Sequence, residues 1–203
     1  MDNTMYKSNT TFDFLDFMFV DNRKYVFFRM LSKHIFIKVL NKISLKIFNF
    51  DFVRSYFLSY LQNYSKSELE NIANDFYDKV LVYKKNLKVI NLLKESINNN
   101  CNIKLASATI DIIASRISKE YNVEYISSTL QFKKGICTGK LENDLLGRKD
   151  KFFKNNIELI VTDNLSDLNL VKISNRKIIL SKRKNFKFWE KQKFNNINIW
   201  EIK

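Results

Sequence analysis

The sequence predicts a mixed α/β fold in which a mainly parallel sheet is combined with an all-helical segment near the amino terminus. Two observations lead to this prediction. From residue 103 onward short apolar runs alternate with helical patterns, whereas residues 13–95 carry apolar side chains at helical spacing. We therefore divide the 203-residue chain into an α/β core at 1–12 and 96–203 and a helical insertion at 13–95.

The composition is that of a packed and strongly basic protein. Hydrophobic residues make up 45% of the chain and aromatic residues 14%, and there are three glycines and no proline, so a folded core without long linkers is expected. The net charge of +14 attracts phosphates, nucleic acid or anionic membranes. Because the lysines are spread along the whole chain, the charge alone does not choose among these partners.

Targeting and redox signals indicate a cytoplasmic location. Met1 is followed by Asp2 instead of a basic segment and an apolar run, so no signal peptide is predicted. No uncharged apolar stretch reaches about 18 residues, so no transmembrane helix is predicted either. Cys101 and Cys137 lack metal-ligand spacing and are expected to be reduced thiols.

The helical segment is predicted to begin with a helix at residues 11–20. Residues 25–61 are apolar and basic and predict one or two helices with wide apolar faces, which could also rest on a membrane surface. The single histidine, His34, has no partner motif there and is interpreted as an ordinary helix residue. Ser65–Glu68 is a capping-box sequence that starts a further helix, and another helix ends near Asn98.

The α/β core is predicted from the alternation of short apolar runs with helical patterns, which is typical of parallel strands because they need crossovers. The predicted elements are strands at 103–106 and 123–126 with a helix between them, a hairpin at 130–141 turning near Gly135, a basic helix at 147–153, a strand at 157–161, a helix at 168–173 and a strand at 177–180.

Two carboxylates follow the apolar run Ile157–Val161. Asp163 comes just after the predicted strand, and Asp167 lies one helical turn further on. Open α/β sheets bind ligands at the carboxyl ends of their strands, and acidic oxygens suit a hard cation such as Mg²⁺. A helix N-cap and a first-turn acid would explain the same two residues equally well.

Four short motifs occur in order along the chain. They are Asp2-Asn-Thr4 at the start, Ser107 at the end of a strand, Lys149 or Lys151 at a helix start, and Asp163 with Asp167 after a strand. This ordered set resembles the haloacid dehalogenase-like (HAD) superfamily of phosphotransfer enzymes. More narrowly, it is similar to the phosphoserine-phosphatase-like branch, whose helical cap is inserted directly after the first motif. The resemblance implies a Rossmann-like, mainly parallel sheet core with an inserted all-helical cap.

The resemblance further implies a Mg²⁺-dependent phosphomonoester hydrolase that works through an aspartyl-phosphate intermediate. Splitting the reaction at a covalent intermediate replaces one hard step by two easier ones. Asp2 matches the residue that protonates the leaving alkoxide and later activates water. The implied phosphate-binding residues are Thr4, Ser107 and Lys149, and the implied metal site consists of Asp2, Asp163 and Asp167.

The chain departs from this pattern at its start. The nucleophilic aspartate should stand two residues before Asp2, which is outside the sequence, and so should the apolar first strand of the sheet. Either Met1 is an internal residue of a longer native protein, or the chain is a copy that no longer catalyses. The sequence as printed is expected to be inactive or nearly so. The alternative to an enzyme is a non-catalytic phosphate- or anion-binding protein with the same fold.

Three further alternatives stay open at this level. Lys149 is preferred over Lys151 as the phosphate-binding lysine, although both could be surface residues. The substrate is expected to be a small phosphorylated compound, and the apolar, basic stretch at 25–61 favours a lipid phosphate with peripheral membrane contact. The basic and aromatic stretch Lys182–Trp189 could stack on single strands, but it is interpreted as a solvated edge, so no nucleic-acid partner is predicted.

Overall fold

The computed structural model describes residues 1–48, 50–153 and 157–202. These residues form a mixed α/β structure with two three-stranded, mainly parallel sheets and helices packed against them. The predicted fold class is therefore confirmed. The proposed boundaries of core and insertion at 12/13 and 95/96 stay a prediction, because one continuous hydrophobic core joins the helical segment to both sheets.

The helical segment contains more helices than the sequence predicted. Its six α-helices are α1 Thr10–Met18, α2 Arg23–Ser32, α3 Ile35–Phe48, α4 Phe52–Leu58, α5 Lys66–Lys79 and α6 Leu87–Asn98. The prediction of one or two helices at 25–61 is wrong, since α2, α3 and α4 cover this stretch. Asn22 and Asp51 cap the starts of α2 and α4 by accepting hydrogen bonds from backbone N–H groups, which interrupts the pattern.

Local signals elsewhere predicted the structure well. Ser65 and Glu68 form the reciprocal hydrogen bonds of a capping box at the start of α5. Gly135 lies in the turn between the second and third strands with a φ of +79°, a conformation that glycine adopts without strain.

The basic helix predicted at 147–153 is only a short 3₁₀ turn, Lys149–Phe152. A segment of four residues is too short for helical periodicity to be recognised in the sequence.

The strands form two separate ladders within the described part of the chain. They are β1 Lys104–Ile110, β2 Glu124–Lys133, β3 Ile136–Asn143, β4 Ile157–Thr162, β5 Ser174–Ser181 and β6 Ile197–Glu201. The first sheet has the order β1-β2-β3, with a parallel β1–β2 pair and an antiparallel β2–β3 hairpin. The second has the order β4-β5-β6 and is parallel throughout.

The amino-terminal segment of the chain lies beside the edges of β1 and β4. In the described residues β1 pairs only with β2, and β4 pairs only with β5, so each strand has one unpaired edge. The segment from Met1 to Thr4 connects to the carboxyl ends of both strands, because Asp2 is bonded to Ser107 and Thr4 is bonded to Asp163. The amino-terminal segment therefore lies between the two sheets.

Three helices complete the architecture: α7 Asp111–Tyr121, α8 Leu168–Lys172 and α9 Phe186–Glu190. The last of these contains part of the basic and aromatic stretch at 182–189. Trp189 is only 1% exposed and packs with Val171 and Ile179, so its ring is not available to stack on bases. No helix among the described residues is both long and apolar enough to cross a membrane.

Candidate active site

All of the predicted site residues line one cavity of about 240 Å³. The cavity lies at the carboxyl end of β4 and beside Ser107 of β1, where the regular register between β1 and β2 ends. Open α/β sheets bind ligands at the carboxyl ends of their strands. The predicted residues among its lining come from four separate segments of the chain. The predicted residues that line it are Asp2 and Thr4 from the amino terminus, Ser107 from β1, Lys149 from the 3₁₀ turn, and Asp163 and Asp167 after β4.

The carboxylate of Asp2 is fixed in place by hydroxyl and backbone donors. Its Oδ1 accepts hydrogen bonds from the Thr10 backbone N–H at 2.8 Å and from Thr10 Oγ1 at 2.5 Å. Its Oδ2 accepts a longer hydrogen bond from Ser107 Oγ at 3.4 Å. One face of the carboxylate is thereby held by the protein, and Ser107 lies within reach of the same ligand as Asp2.

Three buried threonines, Thr10, Thr11 and Thr109, form a hydroxyl cluster next to Asp2 and Ser107. Thr109 Oγ1 lies 2.6 Å from Thr10 Oγ1 and 3.1 Å from Thr11 Oγ1, and the Thr109 backbone N–H donates to Ser107 Oγ at 3.2 Å. Sequence reasoning missed these threonines. Thr10 and Thr11 begin α1, and Thr109 lies near the end of β1. No local pattern in the sequence links these positions.

Asp163 lies in the cavity as a partly desolvated carboxylate. Burial raises its pKa above the ordinary value, and this is opposed by the hydrogen bond that Thr4 Oγ1 donates to Asp163 Oδ1 at 2.7 Å. Asp163 does not cap a helix, because the cap of the following turn is Asn164, which accepts from the Ser166 backbone N–H. Its carboxylate is therefore oriented by Thr4 and makes no hydrogen bond that caps a helix.

Asp167 holds the lysine of the site. Lys149 Nζ donates to both carboxylate oxygens of Asp167, at 3.0 and 2.9 Å, and Thr162 Oγ1 donates to Oδ2 at 2.7 Å. Both Asp167 and Lys149 are largely shielded from solvent. Lys151 is exposed and does not line the cavity. Lys149 is thus the lysine that the structure brings to the other predicted residues.

Comparison with known proteins identifies relatives of the fold only. No family model matches the sequence, and no curated protein matches it. Among solved structures, a protein of unknown function from Bordetella pertussis Tohama I is 14% identical with a TM-score of 0.68, covering 98% of this chain and 95% of its own. A phosphoserine phosphatase in apo form is 18% identical with a TM-score of 0.52, covering 88% and 82%.

A cytosolic 5'-nucleotidase IIIB bound to cytidine is 13% identical with a TM-score of 0.58, covering 98% of this chain and 78% of its own. A HAD family hydrolase from Salmonella enterica serovar Typhi has the same identity and TM-score and covers 98% and 64%. The chain has a HAD-like fold of the phosphoserine-phosphatase-like form. At these identities the similarity establishes the fold, so the chemistry must be argued from the side chains.

The cavity also contains an arginine that sequence reasoning missed. Arg54 of α4 is buried, lines the cavity, and donates through Nη1 to Asp144 Oδ1 at 2.8 Å and through Nη2 to the Ala108 carbonyl. Burial opposes ionisation of Asp144, but the charge of Arg54 and hydrogen bonds from Ser128 and the Leu146 backbone lower its pKa below the ordinary value. Arg54 therefore links the helical segment to the end of β1.

Replacement of Arg54 by alanine is expected to destabilise the protein by about 2 to 4 kcal/mol, since Asp144 would keep a partly buried, unpaired charge. Thermal unfolding should then occur roughly 5 to 15 °C lower. In Arg54→Ala/Asp144→Asn the loss should be smaller than in Arg54→Ala alone, because no unpaired charge remains. Additive losses in this double-mutant cycle would contradict the coupling.

The carboxylates that line the cavity are of the type that binds Mg²⁺. The described residues contain no group of three or more His, Cys, Asp or Glu side chains placed to hold a metal. Asp2 and Asp163 nevertheless line the same cavity, and Mg²⁺ commonly binds through one or two carboxylates, water and substrate phosphate. Asp167 is bonded to Lys149 and Thr162, and its predicted role as a metal ligand stays a prediction.

Proposed function

We propose that the protein is a Mg²⁺-dependent phosphomonoester hydrolase that works through an aspartyl-phosphate intermediate. The observation that carries the proposal is the convergence of Asp2, Ser107, Lys149 and Asp163, from four separate segments, on one cavity. The solved structures of similar fold include phosphatases named for phosphoserine and for nucleotides, which supports a small phosphorylated substrate. The positive net charge of the chain favours such an anion.

In the proposed reaction a carboxylate attacks phosphorus and the bond from phosphorus to the leaving alcohol breaks. Asp2 donates its proton to the departing alkoxide, and later removes a proton from the water that attacks the aspartyl phosphate. Ser107 Oγ and Lys149 Nζ bind the phosphoryl oxygens, with Lys149 oriented by Asp167. Thr4 contributes by orienting Asp163.

The nucleophile would be an aspartate joined directly to the nitrogen of Met1. Met1 is buried and lines the cavity. The charges of Asp2, Lys149 and Asp163 act on the pKa of its amino group, so this group lies near them. Burial lowers the pKa of this amino group. Because consecutive Cα atoms are about 3.8 Å apart, the side chain of a preceding residue could enter the same cavity. A strand leading into Met1 would run towards the unpaired edges of β1 and β4.

Mg²⁺ would be held by the Asp163 carboxylate, and by Asp2 when its carboxyl group is ionised, with the remaining positions taken by water and substrate. Bound there, it would neutralise charge on the phosphoryl group and lower the electrostatic cost of bringing an anion to two carboxylates. The raised pKa of Asp163 supports this assignment, because a desolvated carboxylate gains most from a nearby cation.

The test compares two forms of the protein in the hydrolysis of p-nitrophenyl phosphate. One form is the printed sequence, and the other is extended at Met1 by an apolar strand that ends in aspartate, taken from the upstream reading frame. The extended form is expected to hydrolyse the substrate only with Mg²⁺, and the printed form is expected to show little or no activity. Replacing the added aspartate by asparagine should abolish the activity of the extended form.

The second candidate is an anion-binding protein without catalysis. An extended form that binds phosphate but hydrolyses nothing would support it and exclude the enzyme. A lipid phosphate is the substrate alternative, and it is favoured by the apolar, basic surface of α2 and α3. Comparing phosphatidic acid in vesicles with free phosphoserine and a nucleoside monophosphate would distinguish these substrate classes.

A further inference from the structure

The helices α2 and α3 direct large apolar side chains away from the protein. None of the described residues of α3 is buried, although the helix is rich in isoleucine, leucine and phenylalanine. Phe36 is 72% exposed and Ile47 is 65% exposed. The exposed large apolar residues of the two helices are Val26, Phe27, Met30, Leu31, Ile35, Phe36, Val39, Leu40, Ile43, Ile47 and Phe48. We call this set the α2–α3 surface.

The apolar residues of α3 form one continuous face. At about 100° per residue, Ile35, Val39, Ile43, Phe36, Ile47 and Leu40 follow one another around an arc of about 140°. Lys38 and Lys42 flank one edge of this arc, and Lys46 lies just inside that edge, between Ile35 and Val39. On the protein side, Asn41 Nδ2 donates to Asp51 Oδ1 at 2.9 Å, and Ser44 Oγ donates to the Phe50 carbonyl at 2.8 Å. These hydrogen bonds fix the apolar face outward.

The charge within α2 and α3 is entirely basic, and the neighbouring carboxylates of Asp16 and Asp51 are bonded to Arg29 and Asn41. Between residues 22 and 50 there are seven basic residues and no aspartate or glutamate. Two copies of this surface brought together would repel each other, whereas an anionic surface would be attracted. The 14 residues of α3 extend about 21 Å, which is too short for the roughly 30 Å hydrocarbon core of a bilayer. The helix can therefore lie on a membrane but not cross it.

We propose that the α2–α3 surface docks on an anionic lipid bilayer. The apolar arc of α3 enters the boundary between head groups and acyl chains, and the flanking lysines contact the anionic head groups. Large apolar area on one side, basic residues beside it and no acidic residue within the two helices are the features of an interfacial helix. This docking does not depend on the proposed hydrolysis, so the two can fail separately.

The test is flotation of the printed chain with phosphatidylcholine vesicles that contain or lack about 30% phosphatidylglycerol, at low salt. Binding is expected with the anionic vesicles and should be much weaker with phosphatidylcholine alone. Lys38→Glu/Lys42→Glu/Lys46→Glu should weaken binding by about 100-fold. The matched control Lys119→Glu/Lys133→Glu/Lys140→Glu makes the same change in net charge at exposed positions elsewhere and should keep most of the binding.

A second variant tests the apolar part of the surface. Phe36→Ser/Ile43→Ser/Ile47→Ser should reduce vesicle binding at least tenfold while far-UV circular dichroism and thermal unfolding stay unchanged, since these side chains are exposed. If both lysine variants lost the same amount of vesicle binding, the binding would depend only on net charge, and the proposal would be overturned. So would absence of binding to anionic vesicles at low salt. A dimer in solution that the serine variant abolishes would assign the surface to a second copy instead.

Discussion

Replacing Asp2 with asparagine in the extended form is expected to lower kcat by about 100- to 10,000-fold for an alkyl phosphate, since the leaving alkoxide loses its proton donor. The loss should be much smaller for p-nitrophenyl phosphate in the first step, because p-nitrophenolate leaves without protonation. Asparagine has the shape of aspartate and can still accept the hydrogen bonds from the Thr10 backbone and hydroxyl. The effect should therefore appear in kcat and in its dependence on the leaving group.

The control for this prediction is Asp21→Asn, which makes the same charge change at an exposed position outside the cavity. It should leave the kinetics unchanged. If Asp2→Asn and Asp21→Asn behaved alike, or if the loss in the single-turnover rate of the first step were the same for alkyl and aryl phosphates, Asp2 would not be the acid that we assign. Thermal unfolding of both variants should stay close to that of the parent.

Replacing Asp163 with asparagine is expected to lower kcat/KM by about 100- to 1,000-fold at a fixed Mg²⁺ concentration, in the range of losses seen for electrostatic groups in active sites. Asp163 would be a ligand of the cation, and a neutral amide is a much weaker one. The hydrogen bond from Thr4 can be kept by the amide oxygen, so the fold should be preserved. Activity should recover in part at high Mg²⁺, because the change acts on metal affinity.

Asp167→Asn provides the contrast within the same site. Asp167 is bonded to Lys149 and Thr162, so its loss should misplace the lysine and weaken phosphate binding without a comparable change in the Mg²⁺ dependence. An identical shift in Mg²⁺ requirement for both variants would show that Asp167 is itself a ligand. An unchanged Mg²⁺ requirement in Asp163→Asn would remove Asp163 from the metal site.

The elements that sequence reasoning predicted are those encoded by neighbouring residues. The capping box at Ser65 and the hairpin turn at Gly135 depend on contacts within a few residues. The order of strands and helices after residue 103 follows from periodicity, although β6 and α9 at the carboxyl terminus were missed. The predicted site residues could be found because parallel strands bring their carboxyl ends to one edge.

The parts that were missed depend on contacts between distant segments. Arg54 and Asp144 are 90 positions apart, and Thr10 and Thr109 are 99 apart, so no local pattern pairs them. The stretch at 25–61 suggested contact with a membrane surface, but periodicity alone could not decide whether α3 buries or exposes its apolar face, because it is the same in both cases. Only tertiary placement distinguishes a core helix from an interfacial one.

The most direct measurement is a crystal structure of the extended form grown with Mg²⁺ and inorganic phosphate. We predict a cation about 2.0 to 2.1 Å from a carboxylate oxygen of Asp163, with phosphate in hydrogen-bonding distance of Ser107 Oγ and Lys149 Nζ. Phosphate bound elsewhere, with the Asp163 carboxylate facing only protein and water, would contradict the account.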